Sequence, residues 1–452
     1  MEGRLISGDP ATIWRGAALD SRRLAGGELF FALPGERVDG HRFVASALAA
    51  GAAAAVVTRP EEVLPKAPAE ATLIQVDDAL GALHRLTRAV RSRMPRQLVG
   101  ITGSIGKTTT KELLAAMLAR RYRVAATPGN LNNLYGFPLA LLGIAAETEW
   151  MVAEMGMSTP GELGGVSRLG RPDVAVFTNV RPAHLMNFSS VEAIAAAKAE
   201  LLEGLVEGGL VVANRDDPRV VEIADKHDGP VVWFSVDGEA DYQAVAPRLE
   251  PDGASTSFRL RADAREVAVR LALHGLYNVE NFLAAAACAH RLGVDLEEIA
   301  AVAGEARPAA MRGVLQDLPC GGRLIDDSYN SSPAALSSAL ESARRIAADR
   351  HWAVLGQMLE LGDGAPEMHF AAGREAARLG FSPILGVGEL AREIVRGARQ
   401  EGAEALWFGD ATAAVGEATE RIRGGDLLLV KGSRGVALDQ LVATLVEPEE
   451  AN

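Results

Sequence analysis

The segment GITGSIGKTTTKE, Gly100 to Glu112, carries the residues best able to do chemistry. Two glycines, 103 and 106, permit a tight turn, and Lys107, Thr108 and Thr109 follow at once. The full Walker A spacing asks for a glycine where Ile101 stands, so only the shorter Gly103-x-x-Gly106-Lys107-Thr108 fits. An apolar run, QLVGIT, precedes the turn, and KELLAAMLARRY behind it has helical spacing. Backbone N–H groups at such a turn and helix start can cradle phosphate oxygens. On this reading Gly103, Ser104, Ile105, Gly106, Lys107, Thr108 and Thr109 hold the phosphates of ATP or GTP. Lys107 would neutralise the terminal phosphates and the Thr108 hydroxyl would face Mg²⁺. A bare glycine turn with a surface lysine explains neither the strand before it nor the helix after it.

Other polar residues follow directly on apolar runs, where ligands of open parallel sheets bind. EWMVAEMG places Glu154 after Trp150 to Ala153, and VAVFTNVRPAHL places Asn179 and His184 after Val174 to Phe177. A carboxylate and an imidazole sharing one crevice could ligate a divalent cation. Taken singly, such a Glu is more often solvated or salt-bridged and such a His more often a packed or capping residue; their shared placement after strands is what favours function. LIDDSYNSSP sets Asp326, Asp327, Tyr329 and Asn330 at another strand end. The two acids could hold ribose hydroxyls or cap the next helix, as could Asn330 or Ser332. LLLVKGSRG ends in Lys431, Ser433 and Arg434, two cations beside glycine that suit an anion or form a solvated basic turn. Lys198, in the alanine-rich AIAAAKAELLEGL, reads on composition alone as a surface lysine.

Short apolar runs alternating with alanine-rich helical stretches predict βα units and mostly parallel sheets, an α/β protein. In 452 residues, two to four domains fit. FFALPG, AAAVVT and TLIQVDD are candidate strands of a first section. ALAAGAAAAVV reads as a helix end, a stop at Gly51 and a strand into Val56 and Val57. RSRMPR, Arg91 to Arg96, and GEARPAAMRG, Gly304 to Gly313, read as linkers. The expected divisions are 1–90, 96–311 and 312–452. RLIDD, WAVLG, PILGVG, LWFGD and DLLLVKG continue the α/β style in the last section.

A net charge of -13 argues against general nucleic-acid binding. Cys288 and Cys320 lack metal-ligand spacing and are expected to be inert thiols in a reducing compartment. With no apolar leader visible and no run long enough to span a bilayer, the expectation is a cytoplasmic monomer without membrane insertion.

Taken together, these segments resemble the Mur ligase family over almost the whole chain. DSRRLAGGELFFALPGERVDGHRF, Asp20 to Phe43, looks like the N-terminal part that receives a UDP-sugar, with Ser21 and Arg22 on the substrate side. TGSIGKTTTKE matches the family's shortened phosphate loop. GNLNNLYGFPLALL, from Gly129, brings Asn130, Asn132 and Asn133, and EMGMSTPGEL follows from Glu154. DDSYNSSP, LGQMLELG and VKGSRG complete the set, with Asn330, Lys431 and Arg434 as substrate contacts.

The resemblance implies three domains: a UDP-substrate domain, a central P-loop ATPase sheet and a C-terminal Rossmann-like domain. It also implies ATP and Mg²⁺ as cofactors. The branch resembled joins D-alanyl-D-alanine to UDP-N-acetylmuramoyl-tripeptide through an acyl phosphate, in peptidoglycan synthesis. By resemblance, Lys107, Lys198 and His184 are catalytic. Thr108 and Glu154 serve one Mg²⁺ and His184 a second, which a carbamylated Lys198 supports. Asn278, Asn281, Arg312 and Asp327 contact the nucleotide. Tyr277 stands where the family often has His, and Leu134-Tyr135 where Glu-Ile or similar is expected. One rival is the diamino-acid-adding branch, but its Asp-Asn-Pro-Arg segment is absent after residue 313; NRDDPR, Asn214 to Arg219, lies in the central section. The other is a non-catalytic nucleotide switch.

Overall fold

The structure is a computed structural model and describes residues 2–35, 38–94, 96–182 and 185–447. Three sheets follow one another along the chain. The first contains β1 (Arg4–Ser7), β2 (Ala17–Ala18), β3 (Leu29–Phe31), β4 (Ala54–Val57) and β5 (Leu73–Gln75), ordered β1-β5-β4-β3-β2. Only β1 runs antiparallel to its neighbour. Phe30, Phe31, Val56 and Val57 are fully buried, as continuous apolar strands covered on both faces should be. Gly51, at φ 98, stops the helix Val44–Ala49 before β4, as expected.

The second sheet has β6 (Gln97–Thr102), β7 (Val124–Ala126), β8 (Trp150–Glu154), β9 (Val174–Phe177), β10 (Leu210–Asn214) and β11 (Val231–Ser235). It continues through β12 (Tyr242–Leu249), β13 (Thr256–Ala262) and β14 (Arg265–Leu271), in the order β14-β13-β12-β11-β10-β9-β6-β8-β7. The pairs from β7 to β12 are parallel, and β12, β13 and β14 form an antiparallel meander that the βα reading did not foresee. From β6 the chain crosses to β7 and β8 on one side, then to β9 and β10 on the other. That reversal opens a crevice beyond the carboxyl ends of β6, β8 and β9.

The third sheet has β15 (Val314–Asp317), β16 (Arg323–Asp327), β17 (His351–Gly356), β18 (Phe381–Val387), β19 (Ala405–Phe408) and β20 (Leu427–Lys431), ordered β15-β16-β20-β17-β18-β19. All but the β15–β16 pair are parallel. All five strand segments expected after residue 313 form here.

The 91–96 linker differs from expectation. The helix Ala79–Arg93, capped at its start by Asp78, runs through the first half of it. Arg91 then donates to the carbonyls of Gly170 at 2.6 Å and Arg171 at 3.0 Å, docking the helix end on the central layer. Charge and proline suggested a linker, and the arginine reaches orphan carbonyls at the end of the helix Glu162–Gly170. Cys288 is buried and Cys320 exposed, and both are free thiols. Among the described residues no helix is long and apolar enough to cross a membrane.

Candidate active site

β6 delivers its chain directly into the glycine turn, and the helix Lys107–Leu118 starts on the far side. Gly106 sits at φ 88, a left-handed conformation, and a Cβ there would collide with Asn281 Oδ1. A Cβ on Gly103 would collide with Thr178 Oγ1. Both positions therefore need glycine. The N–H groups of Lys107, Thr108 and Thr109, in the first turn, have no preceding helical carbonyl to bond and mark the anion-binding end.

Not every loop N–H serves that end. Ser104 N–H donates to Asn179 O at 2.9 Å, and Ile105 N–H to Asn179 Oδ1 at 3.0 Å. The expected phosphate role of Ser104 and Ile105 thus narrows to shaping the loop. The Ser104 hydroxyl reinforces this, donating to Arg181 O at 2.8 Å. Asn179, singled out with His184 as a strand-end residue, acts as a clamp on the loop.

Lys107 is half-buried, and its Nζ donates to the carbonyls of Gly103 at 2.8 Å and Ser104 at 3.3 Å. Desolvation lowers its affinity for a proton, and Arg312 adds to this, while Glu154 opposes it. Thr108 Oγ1 donates to Glu154 Oε2 at 2.6 Å, and Asn132 Nδ2 to Glu154 Oε1 at 2.8 Å. Residues from the loop, the β8 end and the segment after β7 thus meet at one buried carboxylate. A hydroxyl, a carboxylate and a carboxamide are hard oxygen donors of the kind Mg²⁺ takes alongside phosphate oxygens. Among the described residues no group of three or more His, Cys, Asp or Glu could hold a metal unaided.

Composition reads Lys198 as a surface residue, and the structure corrects that reading. Lys198 is 4% exposed, in the helix Val191–Ala199. Burial and the charge of Lys107 hold its ammonium well below the usual lysine range. Ile194, Ala195 and Ala197 are buried with it on the same helix. His184 lies outside the described residues.

Asn278 and Asn281 are buried on the helix Tyr277–Arg291, linked by a 2.9 Å bond from Asn281 Nδ2 to Asn278 Oδ1. Tyr277 packs at the junction, where a Cβ on Gly313 would lie 2.9 Å from its hydroxyl. The Arg312 guanidinium stacks 4.0 Å over the Tyr329 ring. Lys431 Nζ donates to Asp327 Oδ2 at 2.6 Å and Asn330 O at 3.0 Å, and Arg434 pairs with Asp439 at 3.0 Å. The cations expected to await an anion are therefore already paired. Asp326 accepts from Ser328, and Ser332 caps the helix Pro333–Arg344.

On the substrate side, Asn133 Oδ1 accepts at 2.8 Å from the N–H of Gly136, the first residue of the helix Gly136–Leu142, while Asn130 is exposed. Arg22 is exposed and held by Asp20, through Nε at 2.9 Å and Nη2 at 2.8 Å, next to Ser21. Ser21 and Arg22 belong to the first layer, apart from the phosphate loop. Two residues went unnoticed in the sequence. Glu280 meets Asn179, and Asp217 Oδ2 accepts from Val180 N–H at 2.7 Å. Only the place of Glu280, one residue before Asn281, could have drawn attention to it.

Comparison with known proteins fits this geometry. The family models described as Mur ligase family, catalytic domain; Mur ligase middle domain; and Mur ligase, glutamate ligase domain match residues 15–91, 101–289 and 311–434. A Bacillus subtilis relative named UDP-N-acetylmuramoyl-tripeptide--D-alanyl-D-alanine ligase is 34% identical, over 96% of this chain and 94% of its own. A crystal structure of MurF from Acinetobacter baumannii is similar at a TM-score of 0.84 and 32% identity, covering 95% of this chain and 93% of that one. MurF ligase from Thermotoga maritima, solved in complex with ADP, gives a TM-score of 0.83 at 28% identity, covering 97% and 98%.

Proposed function

The chain belongs to the Mur ligase family, and from that premise we propose that it joins D-alanyl-D-alanine to UDP-N-acetylmuramoyl-tripeptide with ATP. The observation that carries the reading is the meeting of Thr108, Glu154 and Asn132 beside the phosphate loop, in a chain similar from end to end to ligases of that name. We divide the work as 1–90 for the UDP-substrate, 96–311 for the nucleotide and 312–452 for closure over it.

A carboxylate is a poor electrophile. Attack of the tripeptide's terminal carboxylate on the γ-phosphorus forms an acyl phosphate and releases ADP. The dipeptide amine then attacks the acyl carbon, the tetrahedral intermediate expels phosphate, and the amine's proton passes to solvent or a base. Two anions must first approach each other, so the loop's contribution is electrostatic. Lys107 would turn from its own loop's carbonyls to the terminal phosphates. Thr108, Glu154 and Asn132 would hold Mg²⁺, which when bound offsets phosphate charge. Buried Lys198 fits a metal site only once its charge is reversed. Its depressed proton affinity favours the neutral amine, the form that adds CO₂ to give a carbamate and a proton. Arg312 and Asp327 would meet the nucleotide from the third layer, and Asn278 and Asn281 from the second.

The test is phosphate release from ATP with the UDP-tripeptide, with and without D-alanyl-D-alanine. Release that needs both substrates, with pentapeptide product by mass, is expected. Release indifferent to the dipeptide would overturn the reading.

A further inference from the structure

Behind the phosphate loop lies a carboxylate with no part in the steps above. Glu280 sits near the start of the helix Tyr277–Arg291, and its Oε1 accepts from Asn179 Nδ2 at 2.7 Å. The same carboxamide faces Ile105. Its Oδ1 accepts from Ile105 N–H at 3.0 Å, and its Nδ2 lies 3.3 Å from Ile105 O. A carboxamide can occupy such a slot in two ways. Turned over, Oδ1 would face the carboxylate and Nδ2 would face Ile105 N–H, and both contacts would repel. An ionised carboxylate only accepts, so Glu280 selects the orientation that grips the loop.

We propose that Glu280 is a positioning residue for nucleotide binding, which fixes the Asn179 carboxamide and through it the path of Ser104 and Ile105 into Gly106. The inference rests on reading this loop as the ATP site. The rest of the clamp is already anchored. Thr178 Oγ1 donates to Ile105 O at 2.8 Å, Asn214 Nδ2 to Thr178 O at 2.9 Å, and Val180 N–H to Asp217 Oδ2. The Asn179 side chain is the part of it that can turn, and Glu280 adds to Ile105 in stopping it. Charged groups facing Glu280 are Arg181, which favours the carboxylate, and Asp216 and Asp217, which oppose it. Burial is the largest influence and pushes its carboxyl up to about 7. A protonated Glu280 can donate as well as accept, so it no longer selects one orientation.

The experiment uses the full chain with Glu280→Leu, Glu280→Gln, Asn179→Ala and the Leu/Ala double variant. Binding of MgADP is followed by calorimetry, and KM is measured for each of the three substrates. A lost hydrogen bond to a charged group predicts that Glu280→Leu weakens MgADP by about 10-fold and raises the KM for ATP alike. The other two KM values stay within about 2-fold, as expected for an effect confined to the loop. Glu280→Gln, which like the protonated acid can donate as well as accept, binds MgADP as the wild type does below about 7 and loses the wild-type change in affinity across that pH. In the double variant the two losses do not add. Wild-type affinity in Glu280→Leu, a parallel rise in all three KM values, or additive losses would each overturn the proposal. MgADP binding needs no acceptor, so a wild-type chain that binds it yet ligates nothing overturns the functional reading alone.

Discussion

The site's residues act mainly through charge in partly desolvated surroundings. Lys107→Ala is expected to cut kcat by roughly 100-fold or more, the order found when one electrostatic donor to a transition state is removed. Thermal unfolding of that variant should stay near wild type, since Lys107 bonds only its own loop. Lys198→Ala should lose most activity and regain part of it with a short carboxylic acid that replaces the carbamate; full activity in phosphate-release assays without rescue would sink that role. Glu280 gives a stability signature as well. Its carboxyl is raised from 4.5 to about 7, so the folded chain keeps a proton that the unfolded chain gives up. Its contribution to stability is therefore fully present below 4.5 and declines as pH rises to about 7. At roughly 1.4 kcal/mol per tenfold in proton affinity, the decline is at most about 3 kcal/mol. Urea unfolding of Glu280→Gln across that range should show a flatter pH dependence than wild type.

At the scale of elements, the helix Tyr277–Arg291 does two jobs. Residues Val279 and Phe282 to Ala289 are fully buried, and the alanine run lets the helix pack closely in the core beside the helix Lys107–Leu118. At its start Asn281 lies against Gly106, braced by Asn278, and Glu280 meets Asn179. Phe282 meets Phe258 edge-on at 5.5 Å, so Phe282→Ala should cost roughly 3–5 kcal/mol in denaturant unfolding. Gly106→Ala acts on the other partner. Its φ of 88 and the Asn281 side chain leave no room for a methyl. Nucleotide titration should show MgADP binding largely abolished in that variant, with the rest of the fold intact.

At the scale of the molecule, the second and third layers already touch at several points. Met186 N–H donates to Glu360 O at 3.0 Å, Tyr329 N–H to Met311 O at 3.1 Å, and Arg323 Nη1 to Asp252 O at 3.1 Å. Polar bonds of this kind are typical of interfaces across which domains move. Nucleotide contacts drawn from both layers would then favour a closed form that excludes water from the acyl phosphate. Small-angle scattering with an ATP analogue and the tripeptide should show a smaller radius of gyration than the free chain, and an unchanged radius would count against closure.

The sequence by itself determined what depends on neighbours along the chain. The glycine turn, the strand before it, the helix after it and the five strands past residue 313 were legible, because φ preferences and hydrophobic periodicity are local. The loop pattern and strand-end positions marked Thr108, Glu154 and His184 as metal-side residues, and the family resemblance added Lys198, which no local pattern marks. Only the tertiary structure decided which of these meet. Thr108 and Glu154 are 46 positions apart, Asn179 and Glu280 101, and Lys431 and Asp327 104. Such pairs exist because β6 lies between β8 and β9, and β20 beside β16. Strand order follows from the packing of whole layers, which no single segment encodes. For the same reason composition alone could mark Lys198 only as a lysine on an alanine-rich helix, and the fold made it buried.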